Sequence, residues 1–422
     1  MKQTKKISIL LVLLIILNCV FSINIFAAEP DINAEGAISV ELSTGKIVYE
    51  KNAHQKMYPA STTKVMTALL VLENCSLDEK VKVSYEAIQA VPDGYSNAKL
   101  QVGEELSVKD MLYALMVPSA NEAANALAEH VAGSVESFAT MMNTRAEELG
   151  CESTHFVNPN GVHNEEHYSS AYDMYLIARE AMKNETFRKV VSTSKYTLPA
   201  TESYPENDRT FVNTNKLIVY NNSNRADNYY YKDAIGIKTG YTSQAGNCLI
   251  SAASRDGLEF LNVVLNCGTT ESGLNYRFLD SIDLFNFDYD NFEMALLKEE
   301  NSKVDEIEIK NATKDTKNLD VLIENSITVF KAKELNLEEI KPEITYNENL
   351  VAPIAKGEIL GSVKYNVDGL EYSSNLTAGS NVEQSKLALY LLVSGGTLLI
   401  IAILIMPKKK KAKRRRKWLD LL

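Results

Sequence analysis

The 422-residue sequence predicts an α+β domain followed by a small all-β module and one C-terminal apolar helix. Three observations carry this reading. Apolar residues alternate early and late in the first 289 positions; helical periodicity fills the middle; after Asp290 the chain changes to short alternating runs separated by Asn, Asp, Gly and Lys.

Residues 1–28 open with Lys2, Lys5 and Lys6, continue through the apolar stretch Ile7 to Ile16 and close on Ala27 and Ala28, the layout of a secretory signal peptide. Asn18, where a small residue is expected, argues against lipidation of Cys19. Ala37 to Glu50 alternate around Ser43-Thr44-Gly45, which predicts a hairpin. Tyr58-Pro59-Ala60-Ser61 then enters the apolar run Val65, Met66, Ala68, Leu69, Leu70 and Leu72, a buried helix with a proline at its entry and a serine able to satisfy a free N–H. Helical patterns follow at Val108 to Met116, Asn121 to Val131, Ser137 to Leu149 and Ser170 to Met182. Tyr231 to Gly240, Asn247 to Ser254 and Leu258 to Cys267 read as strands, the last two joined by the Arg255-Asp256-Gly257 turn. Together these make a first domain over residues 29–289.

Residues 290–372 form the β module, with runs at Val304 to Ile309, Leu319 to Ile323, Ser326 to Phe330 and Ile359 to Val367. Residues 373–386, polar and rich in Ser, Asn and Gly, read as a flexible spacer. Residues 387–406 carry no charge over 20 positions, the length of a bilayer-spanning helix. The basic tail 407–422 places the far side of that span in the cytoplasm and the bulk of the chain outside.

Charge narrows the function. Setting aside the three leader lysines and the nine basic residues of the tail leaves 32 basic against 54 acidic residues, a net charge near −22, which speaks against nucleic acid as a partner. Cys75, Cys151, Cys248 and Cys267 are too few for a disulfide scaffold, so the core must be hydrophobic.

Three short strings carry the chemistry: Ser61-Thr62-Thr63-Lys64, Ser119-Ala120-Asn121 and Lys238-Thr239-Gly240. Singly they are weak, since Ser192-Thr193-Ser194-Lys195 and Ser373-Ser374-Asn375 repeat the first two patterns, although Lys-Thr-Gly occurs once. Context separates them. Lys64 follows Ser61 by three residues on a helix with an apolar face, whereas Ser192 and Lys195 lie in a polar stretch with no such scaffold. A serine hydroxyl is a poor nucleophile until a neighbour takes its proton. The five histidines stand in no recognisable triad context, so Lys64 is the candidate base, neutral if burial, a helix N-terminus and Lys238 lower its pKa. Ser119 and Asn121 lie at a break between helices; Ser119 can relay a proton to a leaving amine and Asn121 can bridge Lys64 and a substrate carbonyl, although both residue types also serve as helix caps. Lys238 and Thr239 can hold a carboxylate, and Gly240 lets substrate backbone approach.

On these strings the chain resembles the low-molecular-mass penicillin-binding proteins that act as D-alanyl-D-alanine carboxypeptidases. Pro59-Ala60, Asn158-Pro159-Asn160-Gly161, His167-Tyr168-Ser169 and Tyr241-Thr242 extend the likeness, and Pro353 to Asp368, with Gly361, is similar to the β-rich domain that follows the catalytic one in that family. The resemblance implies a β-lactamase/transpeptidase-like catalytic domain. It further implies hydrolysis of the terminal D-alanine from peptidoglycan stem pentapeptides through an acyl-serine that β-lactams trap, with no cofactor and no metal. The backbone N–H groups of Ser61 and Tyr241 become the oxyanion hole, and Arg277 an aid to carboxylate binding, although an arginine opening a helix over Leu279, Ile282 and Phe285 also fits a structural role. Two departures are visible: Glu122 stands where the family often has Asp, and the C-terminal anchor reads as a full span rather than an amphipathic surface helix. A β-lactamase, a transpeptidase or endopeptidase, and a membrane-tethered wall-binding scaffold remain open on these residues.

Overall fold

The computed structural model describes residues 29–220, 227–386 and Tyr390. The expected signal peptide, the basic tail and, apart from Tyr390, the expected span lie outside them; among the described residues no helix is long and apolar enough to cross a membrane. The chain divides into two compact units, the first running through Glu293 and taking back Ala332–Glu334.

In the first unit β1 (Gly36–Glu41) and β2 (Ile47–Lys51) form the early hairpin. A 3-10 turn, Ala60–Thr63, leads into α1 (Lys64–Asn74). There follow α2 (Val108–Met116), α3 (Asn121–Ala132), α4 (Val135–Glu148), α5 (Ala171–Ala181) and α6 (Glu185–Val191). The chain returns to the sheet through β3 (Ala234–Thr242), β4 (Gly246–Arg255) and β5 (Leu258–Cys267), then closes with α7 (Tyr276–Asn291). Strand order is β2-β1-β5-β4-β3, every neighbouring pair antiparallel. In that sheet β3 is an edge, so one side of the Lys238-Thr239-Gly240 backbone is left for another strand.

The helix α1 is buried along its first eight residues, Lys64 to Val71, and packs against α2, α3 and α5. A helix apolar on all sides belongs inside a protein, and this one threads the main core with Ile250, Ala252, Val263 and Leu265 of the sheet. That explains how a lysine can be held dry: it begins a helix whose first eight residues are all buried. Meanwhile α7 packs on β4 and β5, which accounts for their near-continuous burial in place of a clean alternation. Because α7 continues to Asn291, the division expected at 289/290 falls inside its last turn.

The second unit holds β6 (Lys303–Glu308), β7 (Asn318–Ile323), β8 (Glu343–Tyr346), β9 (Ile359–Val367) and β10 (Leu370–Ala378) in the order β6-β7-β10-β9-β8. Its own core includes Leu319, Val321, Ile323, Leu360, Tyr365 and Leu376. One expectation is corrected here. Residues 373–386 do not begin as a flexible spacer, since Ser373 to Ala378 complete β10, with Ser373 opposite Lys364 and Leu376 opposite Gly361. Beyond the strand the Val382 amide still donates to the Ile354 carbonyl. The serines sit on a half-covered strand that its partners order, so composition alone could not separate strand from linker.

Candidate active site

Ser61 lies on the 3-10 turn, not on an ordinary α-helical first turn, and its hydroxyl makes no capping bond. Ala60 precedes it with φ +49°, a left-handed value uncommon for a residue with a side chain. Neighbours hold the turn in place. The Thr62 hydroxyl donates to the Pro59 carbonyl (2.6 Å) and that of Thr67 to the Pro159 carbonyl (2.6 Å). The Val157 amide donates to Nδ1 of His167 (3.1 Å), leaving Nε2 to donate to the Thr63 hydroxyl (2.8 Å). Burial lowers the His167 pKa to about 3, so this ring is a neutral strut.

Two glycines close on the same turn. A Cβ on Gly161 would overlap the Ala60 carbonyl, and one on Gly240 would lie 2.9 Å from the Pro59 oxygen and 3.1 Å from the Ser61 nitrogen. Only glycine lets both backbones approach this closely.

Lys64 is fully buried, and its Nζ donates to the Ser61 hydroxyl (3.0 Å), to Oδ1 of Asn121 (2.8 Å) and to the Asn160 carbonyl (2.6 Å). Asn121 opens α3 but does not cap it; its Nδ2 donates to the Ser96 carbonyl (2.9 Å), which fixes the amide so that oxygen faces Lys64. Ser119 is buried at the break before α3 with φ +66°, a second left-handed residue at the site.

From the edge strand β3, Lys238 is also buried and donates to the Thr239 carbonyl (2.9 Å), while the Thr239 hydroxyl meets that of Thr214 (2.6 Å). Arg277, second residue of α7, donates through Nη1 to the Gly240 carbonyl (2.9 Å); its buried Nε has no partner among the described residues. A cleft of about 400 Å³ brings Ser61, Ser119, Asn121, Thr239, Tyr241 and Arg277 onto one lining.

The electrostatics follow from this packing. Burial, then the Lys238 cation, push the Lys64 amine well below the usual lysine range, with the Glu122 carboxylate opposing. Burial, then Arg277, bring Lys238 down to about 7. Burial raises Glu122, although the Ala98 amide donates to its Oε1 (2.6 Å). The arrangement sets the Ser61 hydroxyl beside a buried lysine whose charged form is disfavoured, next to Lys238 and Arg277, which could hold a carboxylate.

The structure therefore gathers all nine sequence-predicted site residues around one cleft. It adds Asn160, whose carbonyl holds Lys64, together with Ser96 and Thr214. Asn160 falls within a string that carried the family likeness, but the contacting atom is a backbone oxygen, which no side-chain pattern reports. Thr214 and Ser96 reach the cleft only through tertiary folding. The competing strings are elsewhere: Ser192 is an exposed residue ending α6 with its hydroxyl on the Lys189 carbonyl, Lys195 is exposed, and Ser373 to Asn375 lie in β10.

Residues 24–269, more than half of the chain, match the Peptidase S11 family model, described as D-alanyl-D-alanine carboxypeptidase. The chain belongs to this family. Residues 292–384, which hold the β-rich strands after the first unit, match the model for the C-terminal domain of penicillin-binding protein 5. Among Peptidase S11 relatives, the D-alanyl-D-alanine carboxypeptidase DacF of Bacillus subtilis is 34% identical over 344 residues, covering 80% of this chain and 82% of that protein. The solved structure of penicillin binding protein 5 from Haemophilus influenzae superposes with a TM-score of 0.62 at 28% identity, covering 85% of this chain and 100% of the other. The Streptomyces K15 DD-transpeptidase gives 0.56 at 36% identity over 63% of this chain and all of its own. The first unit is thus a transpeptidase-like α+β catalytic domain.

Proposed function

We propose that this serine D-alanyl-D-alanine carboxypeptidase works on peptidoglycan stem peptides with Ser61 as nucleophile and Lys64 as its base. One observation carries the assignment: a fully buried lysine, its proton affinity lowered by burial and Lys238, sits 3.0 Å from the hydroxyl it must activate.

Neutral Lys64, with two N–H groups donating to Asn121 and Asn160 and its lone pair turned to Ser61, accepts the Ser61 proton as Oγ bonds to the carbonyl carbon of the penultimate D-alanine. A positioned base of this kind contributes ~10²–10⁴-fold. The negative charge on the carbonyl oxygen falls to the N–H groups of Ser61 and Tyr241; the closeness of Gly240 to the Ser61 nitrogen supports this placement of β3. When the C–N bond breaks, the proton returns through Ser119 to the departing amine, and D-alanine leaves. Water then hydrolyses the acyl-serine. Lys238, Thr239 and Arg277 hold the terminal carboxylate that distinguishes this substrate, and the free edge of β3 lets the peptide lie as an added strand. A β-lactam enters the same way, and its ring opening leaves the acyl-serine in place.

We further propose that residues 1–28 are removed on export and that 387–406 anchor the chain with the catalytic domain, 29–289, outside the cell membrane. The charge-free 20-residue stretch and the basic block after it support this reading. Labelling with a fluorescent penicillin followed by peptide mapping tests the nucleophile: adduct on the Ser61 peptide, absent in Ser61→Ala, is expected, and covalent labelling retained by that variant would sink the assignment.

A further inference from the structure

Away from the cleft, at the opposite ends of the helices that carry Lys64 and Asn121, three side chains of different chemistry converge. Cys75 is the first residue beyond α1, His130 lies in the last turn of α3, and Glu79 stands between them in the loop before the strand Lys80–Lys82. A thiol sulfur, an imidazole nitrogen and a carboxylate oxygen all lie within 4.8 Å of one another. We propose that Cys75, Glu79 and His130 form a binding site for a borderline divalent cation, Zn²⁺ being the ion best matched to this donor set.

The donor set argues the ion. A thiolate disfavours Mg²⁺ and Ca²⁺, which take oxygen ligands, whereas thiolate, imidazole and carboxylate together suit zinc. Geometry argues that little must move. His130 Nε2 and Glu79 Oε2 share a hydrogen bond of 3.1 Å, which a bound ion would replace. Two ligands each at about 2.0–2.1 Å from a tetrahedral ion are separated by roughly 3.3 Å, so this pair already has the spacing of co-ligands. The other carboxylate oxygen, Oε1, accepts from the Ser76 amide at 2.6 Å, which aims Oε2 at the histidine and acts as the orienting outer contact that metal carboxylates need. Cys75 is partly accessible and free of any disulfide, while Cys151, Cys248 and Cys267 are buried.

Binding forms Zn–S, Zn–N and Zn–O bonds, releases the Cys75 thiol proton to solvent and leaves the fourth position to water; no electron changes hands. The ion would tie the far end of the nucleophile's helix to the far end of the Asn121 helix. Its chemistry is separate from the acyl transfer, because none of the three residues lines the catalytic cleft.

Co²⁺ serves as the probe, since a cobalt–thiolate bond gives a near-ultraviolet charge-transfer band and a tetrahedral site gives strong visible bands. The full chain in detergent, titrated with Co²⁺ and then with competing Zn²⁺, should develop these bands at one ion per chain and lose them to zinc. Cys75→Ser and His130→Gln should each weaken binding by about 100-fold or more, while penicillin labelling, which reports an intact fold, stays at the parent level. Absence of the thiolate band in the parent, or its persistence in His130→Gln, which would mark a solitary thiol and not a three-ligand site, overturns the proposal. Should Cys75→Ser fail to label, Glu79→Gln with His130→Gln decides by the same bands.

Discussion

Ser61-Thr62-Thr63-Lys64 and Ser192-Thr193-Ser194-Lys195 have the same spacing of serine and lysine, and the structure treats them oppositely. The first is wound into a 3-10 turn held by Pro59, Pro159 and His167, with its lysine fully buried. The second straddles the end of α6, its serine on a local carbonyl and its lysine in water. Only the first lysine is buried beside a second cation, which disfavours its charged form and suits it to act as a base. The difference lies in what surrounds four residues, since their pattern is shared.

Replacing the nucleophile tests that contrast most severely. Ser61→Ala should abolish acylation, since alanine offers no hydroxyl to form the ester, measured as penicillin labelling. Nearly as large, Lys64→Arg should cost about 10³-fold or more in kcat/KM: it keeps the approximate reach but as a fixed cation, since a guanidinium does not lose its proton, so transfer at the scale assigned to general bases is gone. Retained activity in Lys64→Arg would show that Lys64 acts as a cation only.

Gly161→Ala attacks the frame and leaves the chemistry alone. Its Cβ would overlap the Ala60 carbonyl at a backbone with φ +79°, so we expect about 1–3 kcal/mol of lost stability in denaturant unfolding and slower acylation. Lys238 gives a pH signature. It is a cation below about 7 and neutral above, so KM for a peptide with a free carboxylate should rise as pH climbs through that value. Stability moves the other way: between about 7 and 10.5 the unfolded chain binds the proton that the folded site has lost, so this contribution to stability grows with rising pH in that window. Lys238→Met should flatten both slopes. Smallest of all, Ser192→Ala should change kcat/KM by less than about twofold and stability by no more than about 0.5 kcal/mol.

Much of the frame was legible because its signals are local. Leu258–Cys267, Val108–Met116 and Ile359–Val367 begin and end where periodicity and turn residues place them. The short helix α6 and the strand β10 were missed, the first being barely two turns long and the second clothed in serine and asparagine that only its neighbours order. Within the site, Ser61, Lys64 and Asn121 could be found by pattern because their side chains do the contacting. The Asn160 carbonyl, 2.6 Å from Lys64, carries no trace in residue type. Ser61 as a helix cap was a reasonable local expectation; the tertiary clamp on the turn replaced it with a hydroxyl facing Lys64.

The central claim is that burial turns Lys64 into the base for Ser61. Release of D-alanine from a peptide ending in D-Ala-D-Ala, followed against pH for the full-length protein beside Ser61→Ala and Lys64→Arg, tests it most directly. The account predicts release by the parent with an acidic limb well below the ordinary lysine pKa, none from Ser61→Ala, and release lowered about 10³-fold or more in Lys64→Arg. Release by Ser61→Ala, or a parent whose rate rises only near the ordinary lysine value, would contradict it.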